Sequence, residues 1–173
     1  MLSPTRWRSA RGVTELPPPR YRPLPLHSEG VRRGRGRRSQ PDLDEMKGRI
    51  RGENYKILFV DDEERFRRTT ARWLRKEFNV VVDVVESGRA AIQAAGQNAS
   101  YDFIFLDLMM PGLDGVRTYR ELRRLNVTAR VVMMSAYSSS ELWREAEELG
   151  LQPLPKPLKE ESLIEIFDSR RGE

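Results

Sequence analysis

The 173-residue chain contains no cysteine and a single histidine, His27. Without cysteine, disulfide bonds and thiolate metal sites are excluded, and a reducing compartment is expected. No apolar run approaches the roughly 20 residues that cross a bilayer. The N-terminus also shows arginine and proline where a signal peptide has an apolar core. We therefore predict a soluble, cytoplasmic protein.

Positive charge is concentrated at one end of the chain. Residues 1–50 hold 12 Lys and Arg against 5 Asp and Glu, whereas residues 51–173 hold 19 against 21. The first 45 residues are rich in Pro, Gly and Arg and show no period of 2 or 3.6 in their apolar positions. Such a segment cannot bury enough surface to offset its chain entropy. We predict a disordered extension over residues 1–50, in which His27 is not a ligand.

An arginine-rich stretch within this extension has two interpretations. A basic run can attract nucleic acid or anionic membrane without a fold. Charge runs are more often simply solvated, and we favour that interpretation. The stretch comprises Arg32, Arg33, Arg35, Arg37 and Arg38.

Met46 suggests that the extension is not made at all. Translation from Met46 would leave 128 residues, the size of one compact domain. An intact mass of the natively expressed protein that includes residues 1–45 would contradict this hypothesis.

From Lys56 onward, short apolar runs alternate with amphipathic segments, a pattern typical of βα repeats. Strands are predicted at Lys56–Val60, Val80–Val85, Asp102–Leu106, Arg130–Met134 and Leu151–Leu154. Helices are predicted from about Glu63 to Phe78, from Ser87, from Asp114, from Ser138–Ser140 to Leu149, and from Glu160. The third helix is expected to turn Val116, Tyr119, Leu122 and Leu125 toward the core.

Strict alternation of five strands and five helices predicts an α/β fold. We expect a (βα)5 flavodoxin-like, doubly wound parallel sheet with strand order 2-1-3-4-5. Pro153 and Pro155 lack the N–H group that a central strand donates. The fifth strand should therefore lie at an edge, as it does in this order.

Polar residues follow the strands where their carboxyl ends should meet. Asp61 and Asp62 follow the first strand, and Asp107 follows the third. Three neighbouring carboxylates repel one another unless a cation compensates, and Mg²⁺ prefers oxygen ligands while leaving room for a phosphate oxygen. Lys156 after the fifth strand and Ser135 after the fourth can contact further phosphoryl oxygens. The sequence therefore predicts a magnesium and phosphoryl site at this sheet edge.

On these residues, positions 55–168 resemble a response regulator receiver domain of the chemotaxis-regulator type. Four motifs carry the resemblance: the acidic pair in FVDDEE, the aspartate in DLMMPGLDG, the hydroxyl residue in MMSAY and the lysine in PKPL. Each motif alone is weak. Together they are specific, because chance would have to place all four at the correct strand ends.

The resemblance implies a nucleophile and a metal site. Asp107 would accept a phosphoryl group from the phosphohistidine of a sensor histidine kinase or phosphotransfer protein. Asp62, Asp107 and the backbone carbonyl of Met109 would bind Mg²⁺ directly, and Asp61 would bind it through water. The domain would catalyse only its own phosphorylation and dephosphorylation, without turnover on an external substrate.

The resemblance also implies roles around the phosphoryl group and at the output surface. Lys156 would contact the phosphoryl group, and Ser135 would move toward it. The bond between Lys156 and Pro157 is expected to be cis, as is usual in the family. Output would pass to another protein through the fourth helix, fifth strand and fifth helix, the surface the family uses for partners and dimers. We expect a stand-alone receiver with no output domain.

Two departures from the family pattern bear on signalling. Pro153 occupies the position three before the lysine, where receivers commonly carry an aromatic reporter. Tyr137 is a candidate substitute, and a rim aromatic without a switching role is the alternative. Met109 and Tyr137 lie two residues after Asp107 and Ser135, and neither readily orients an attacking water. We therefore predict a long-lived phosphoryl group.

Two other functions compete with the phosphorylation switch. One is a phosphorylation-independent binding module of the same fold, with the basic extension supplying affinity for nucleic acid or membrane. The other is a phosphatase of the Asp-x-Asp type. It is disfavoured because Met109 stands where that enzyme class needs a second acid after Asp107.

Overall fold

The computed structural model describes residues 42–97 and 100–170. Five strands are present in this part of the chain: β1 (Lys56–Val60), β2 (Val81–Val85), β3 (Phe103–Asp107), β4 (Arg130–Ser135) and β5 (Leu154–Pro155). The helices are α1 (Leu43–Arg51), α2 (Glu64–Phe78), α3 (Gly88–Gly96), α4 (Gly115–Arg124), α5 (Glu141–Glu148) and α6 (Glu160–Ser169). None of these helices combines the length and apolar character that a bilayer span requires.

The five strands form one parallel sheet in the order β2-β1-β3-β4-β5, which confirms the predicted flavodoxin-like topology. Strand β3 lies at the centre and is buried along its whole length, because helices cover both faces. Val60 of β1 pairs with Leu106 of β3. The residues that follow these two strands are therefore neighbours at the carboxyl edge.

Two separate cores hold the helices on the sheet. On one face, α1, α2 and α6 cover a phenylalanine-rich cluster in which the rings of Phe103 and Phe167 meet edge to face, 5.1 Å apart. On the other face, α3, α4 and α5 cover an aliphatic cluster built on Leu58, Ile104 and Leu106. Each helix thus buries one side against the sheet. Polar residues lie on the loops at the carboxyl edge, which neither layer of helices covers.

The predicted helix ends are confirmed where a capping residue signals them. The side chains of Ser87, Asp114 and Ser140 accept backbone N–H groups at the starts of α3, α4 and α5. Gly150, which follows α5, adopts a φ of 77°, the left-handed conformation expected of a glycine that ends a helix.

Leu125 does not face the core as predicted. It is 51% exposed, whereas Val116, Tyr119 and Leu122 are buried. The helical turn ends at Arg124, so Leu125 leaves the apolar face on which the other three lie.

Strand β5 begins later than predicted, at Leu154 instead of Leu151. Pro153 has no N–H group to donate to β4, and pairing starts only with Leu154 opposite Met134. The strand is an edge strand, as expected.

The predicted disorder over residues 1–50 is wrong for residues 43–50, which form most of α1. Ile50 is fully buried, and Met46 packs against the same core cluster. Tertiary burial of this apolar face stabilises a helix that would be too short to persist alone. Residues 1–41, which include His27 and the arginine-rich stretch, lie outside the described residues.

The packing of α1 predicts a clear effect of truncating Ile50. Ile50→Ala should lower the free energy of unfolding by about 3 kcal/mol, because it empties a filled core position. Leu43→Ala, on the same helix but 43% exposed, is the control and should change it little. Urea unfolding measures both, and equal losses would contradict the packing of α1.

Candidate functional site

The three predicted carboxylates meet at the carboxyl edge of the sheet. Asp61 and Asp62 directly follow β1, and Asp107 is the last residue of β3. One carboxylate oxygen from each lies within 4.8 Å of the others. Asp61 is fully buried and Asp107 is 5% exposed, whereas Asp62 is exposed. The cluster is therefore accessible from the side of Asp62.

The ammonium group of Lys156 holds the two buried carboxylates together. Its Nζ atom lies 2.6 Å from Oδ2 of Asp61 and 2.7 Å from Oδ2 of Asp107. It also lies 4.8 Å from the ring centre of Phe66 in α2, a favourable position for a cation. The peptide bond between Lys156 and Pro157 is cis, as the family resemblance implied. One cation thus offsets the repulsion between two buried anions.

Burial and charge act in opposite directions on the pKa values of this site. Burial is the largest influence on Asp107 and raises the pKa of its carboxyl group, although the hydrogen bond from Lys156 opposes the shift. Burial alone would lower the pKa of Lys156, but the hydrogen bonds and charges of Asp107 and Asp61 outweigh it and raise the pKa. The lysine is therefore held protonated, and a further cation beside Asp107 would favour its ionised form.

Backbone N–H groups occupy only one oxygen of each of the two buried carboxylates. The N–H of Glu63 donates to Oδ1 of Asp61 at 2.9 Å, and the N–H of Met109 donates to Oδ1 of Asp107 at 3.2 Å. Oδ2 of Asp61 is buried and contacts the ammonium of Lys156 at 2.6 Å, but it accepts no backbone N–H group from residues 42–97 or 100–170. The buried carboxylates thus keep lone pairs that no backbone donor uses, and the all-oxygen ligand set fits Mg²⁺.

Ser135 lies at the end of β4 and is 1% exposed. Its Oγ accepts the N–H of Tyr137 at 3.0 Å and donates to the carbonyl of Tyr137 at 3.4 Å. Within the described part of the chain, no hydrogen bond joins Ser135 to the carboxylates. The hydroxyl would have to give up its bond to the Tyr137 carbonyl to donate to a phosphoryl group.

The other residues singled out around the site differ in exposure. Met109 and Tyr137, on the loops after β3 and β4, are 44% and 63% exposed. Pro153 is buried. The position at which receivers commonly carry an aromatic reporter thus holds a buried proline, whose ring cannot switch between inward and outward rotamers.

A close approach between α4 and the acceptor loop was missed by the sequence analysis. A Cβ atom on Gly115 would lie 2.4 Å from the carbonyl oxygen of Asp107 and 2.8 Å from Cα of Leu108. The N–H of Gly115 donates to the carbonyl of Leu108 at 3.0 Å. The glycine that ends DLMMPGLDG was the available signal, because only glycine permits backbone contact this close. Gly115 therefore fixes the loop that carries Asp107 and Met109.

Comparison with known proteins identifies the fold and the family. Residues 57–168 match the family model of the response regulator receiver domain. The transcriptional regulatory protein ResD of Bacillus subtilis is 47% identical over 81 residues, which make up 47% of this chain and 32% of ResD. The chemotaxis protein CheY of the same organism is 28% identical over 115 residues, 66% of this chain and 95% of CheY.

A solved structure shows the same architecture. The receiver domain of the histidine kinase CKI1 from Arabidopsis thaliana, complexed with Mg²⁺ and BeF₃⁻, superposes with a TM-score of 0.61. It is 23% identical in sequence, and the match covers 76% of this chain and 97% of that one. The chain spans only 32% of ResD but nearly the whole of CheY and of the CKI1 domain. With the family model matched over more than half of its length, the chain belongs to the response regulator receiver domains of two-component systems.

Proposed function

We propose that the chain is a phosphorylation switch in a two-component phosphorelay, with Asp107 as the acceptor. The donor is the phosphohistidine of a sensor histidine kinase or phosphotransfer protein. One observation carries the proposal: Lys156 lies 2.6 and 2.7 Å from two buried carboxylates that share a sheet edge with Asp62. In the transfer, an oxygen of Asp107 attacks phosphorus, and the bond from phosphorus to the imidazole nitrogen breaks with the electron pair leaving on nitrogen.

The remaining residues position the phosphoryl group and its charge. Asp62, Asp107 and the carbonyl of Met109 would hold Mg²⁺, with Asp61 contributing through water. When bound, Mg²⁺ neutralises negative charge on the phosphoryl oxygens. Lys156 donates to one phosphoryl oxygen as a permanent cation, and its raised pKa supports that role. Ser135 donates to another oxygen once its hydroxyl leaves the Tyr137 carbonyl.

The exposed side chains of Met109 and Tyr137 predict a long-lived acyl phosphate, because neither readily orients an attacking water. In hydrolysis, water attacks phosphorus and the carboxylate of Asp107 leaves, so the rate depends on how well a side chain orients that water. Met109→Gln supplies an amide that can orient it and should shorten the half-life by roughly tenfold. Leu125→Gln, a remote exposed position, should leave it unchanged. Loss of radiolabel measures both, and a half-life of seconds in the unaltered protein would contradict the prediction.

We further propose that output passes to another protein through the face formed by α5, β5 and α6, on which a homodimer could also form. Strand β5 supports this proposal because it lies in this face and directly precedes Lys156, and its neighbour β4 ends with Ser135. Stand-alone action is part of the proposal. The alternative is a receiver within a longer transcriptional regulator, which the partial match to ResD favours. An intact mass of the natively expressed protein separates the two.

The beryllium fluoride mimic tests the proposed function. With Mg²⁺ and BeF₃⁻, the unaltered protein and the control Asp44→Asn, an exposed residue of α1, should show the same tryptophan fluorescence change. Asp107→Asn should show none. No change in the unaltered protein would instead favour the phosphorylation-independent binding module, to which the buried Pro153 lends support.

A further inference from the structure

We propose that α1 is an output element of this domain, and that its docking against α6 loosens when Asp107 carries a phosphoryl group. The inference rests on the proposed function, because it uses Asp107 as the acceptor. Helix α1 precedes residues 57–168, which the family model covers, and is therefore additional to the matched domain.

Helix α1 docks through an apolar face and one shielded ion pair. Ile50 is fully buried in the core that also contains residues of α6, and Met46 packs against the same cluster. Lys47 forms an ion pair with Glu160, the first residue of α6, and their side chains are 14% and 32% exposed. By contrast, the pair within α1 between Arg49 and Glu45 is 47% and 59% exposed. The tie to α6 is therefore the better shielded of the two, and solvent screens it less.

The same ion pair lies a short distance along the chain from the acceptor site. Lys156 contacts the carboxylates of Asp61 and Asp107, and Glu160 lies four residues later, after a non-helical segment. Between them, Leu158 packs against the core cluster that Met46 also contacts. The segment 156–160 is thus tethered at one end to the acceptor site and at the other to α1.

A phosphoryl group on Oδ2 of Asp107 must displace the contact between that oxygen and Lys156. Nζ of Lys156 lies 2.7 Å from Oδ2 of Asp107, a direct contact that leaves no space for phosphorus and its oxygens. To contact a phosphoryl oxygen instead, the ammonium must move outward from the sheet edge. The backbone of segment 156–160 moves with it and draws Glu160 away from Lys47. This route does not pass through Pro153, so it needs no reporter aromatic.

Amide hydrogen exchange tests the coupling directly. With Mg²⁺ and BeF₃⁻ bound, amides of α1 should exchange about fivefold faster, while those of α3 on the opposite face of the sheet should not change. Unchanged exchange in α1 while BeF₃⁻ is bound would overturn this inference and leave the proposed function intact. Failure of BeF₃⁻ to bind, read from fluorescence, would overturn both.

Reciprocity supplies a second test that does not depend on exchange rates. If occupation of the site weakens the tie between Lys47 and Glu160, then removing the tie must favour occupation by the same factor. Lys47→Ala should therefore bind BeF₃⁻ about fivefold more tightly, and Glu160→Gln should do likewise. The double variant should gain no more than either single one. Arg49→Ala is the matched control and should leave the affinity unchanged; equal affinities for Lys47→Ala and Arg49→Ala would overturn the inference.

Discussion

Lys156→Met should lower the free energy of unfolding by about 3 kcal/mol, because it leaves two buried carboxylates without their shared cation. The side chain of Asp61 is fully buried, that of Asp107 is 7% exposed and that of Lys156 is 12% exposed, so solvent screens this group of charges little. Methionine keeps most of the volume of the lysine stem. The loss of stability should therefore reflect the missing positive charge and not a loss of packing. Urea unfolding without Mg²⁺ measures it.

Three comparisons assign the loss to charge. Lys159→Met, at an exposed position in the same loop, should cost little. Adding Asp61→Asn to Lys156→Met should recover part of the stability, since one uncompensated anion is removed. Mg²⁺ should raise the Tm of Lys156→Met more than that of the unaltered protein, because the ion replaces the missing positive charge. Equal stability of Lys156→Met and Lys159→Met would contradict the described charge cluster.

Gly115→Ala should cost about 3 kcal/mol and also impair BeF₃⁻ binding, because the added Cβ meets backbone atoms of the acceptor loop. The nearest atoms are the carbonyl oxygen of Asp107 at 2.4 Å and Cα of Leu108 at 2.8 Å. Neither can rotate away as a side chain could. The strand end or the start of α4 must shift, and either movement displaces Asp107 and the carbonyl of Met109.

Gly48→Ala is the matched control for this substitution. Gly48 lies within α1, and a Cβ there would meet no atom within 4 Å. Alanine at an open helical position should stabilise by about 0.5–1 kcal/mol, since glycine is the poorer helix former. Urea unfolding and a BeF₃⁻ titration of both variants decide the matter. A Gly115→Ala protein as stable as the unaltered chain would show that α4 does not hold the loop as described.

The sheet and the position of the site could be predicted from the sequence. The alternation of apolar runs with amphipathic segments indicates the strands and helices, and the strand order brings the strand ends together. Both ends of β1, Lys56 and Val60, were predicted correctly, because the apolar run stops directly before an acidic pair. The convergence of Asp61, Asp62 and Asp107 followed from strand order alone. The short strand β5 was placed three residues early, because the consequence of Pro153 for pairing shows only when the partner strand is known.

Helix α1 was not predicted because it lies at the end of a segment whose overall composition is typical of disorder. The apolar residues Leu43, Met46 and Ile50 do recur at helical spacing after Asp42, whose side chain accepts the N–H of Asp44. Their number is too small to predict a helix without a surface to cover. That surface, between α2 and α6, exists only after the sheet has formed.

The details of contact at the site could not be predicted from motifs. Sequence spacing placed Lys156 near the carboxylates but did not show that it bridges Asp61 and Asp107 simultaneously. The ring of Phe66 beside that lysine and the backbone contact of Gly115 depend on the angles at which α2 and α4 leave the sheet. Local pattern does not encode those angles.

The most direct measurement of the central claim is chemical mapping of the acyl phosphate. The protein is incubated with Mg²⁺ and acetyl phosphate, the acyl phosphate is reduced with borohydride, and the modified residue is located by peptide mass spectrometry. We predict modification at Asp107 alone, and none in Asp107→Asn. Modification at Asp61 or Asp62, or no modification of a folded protein, would contradict the account.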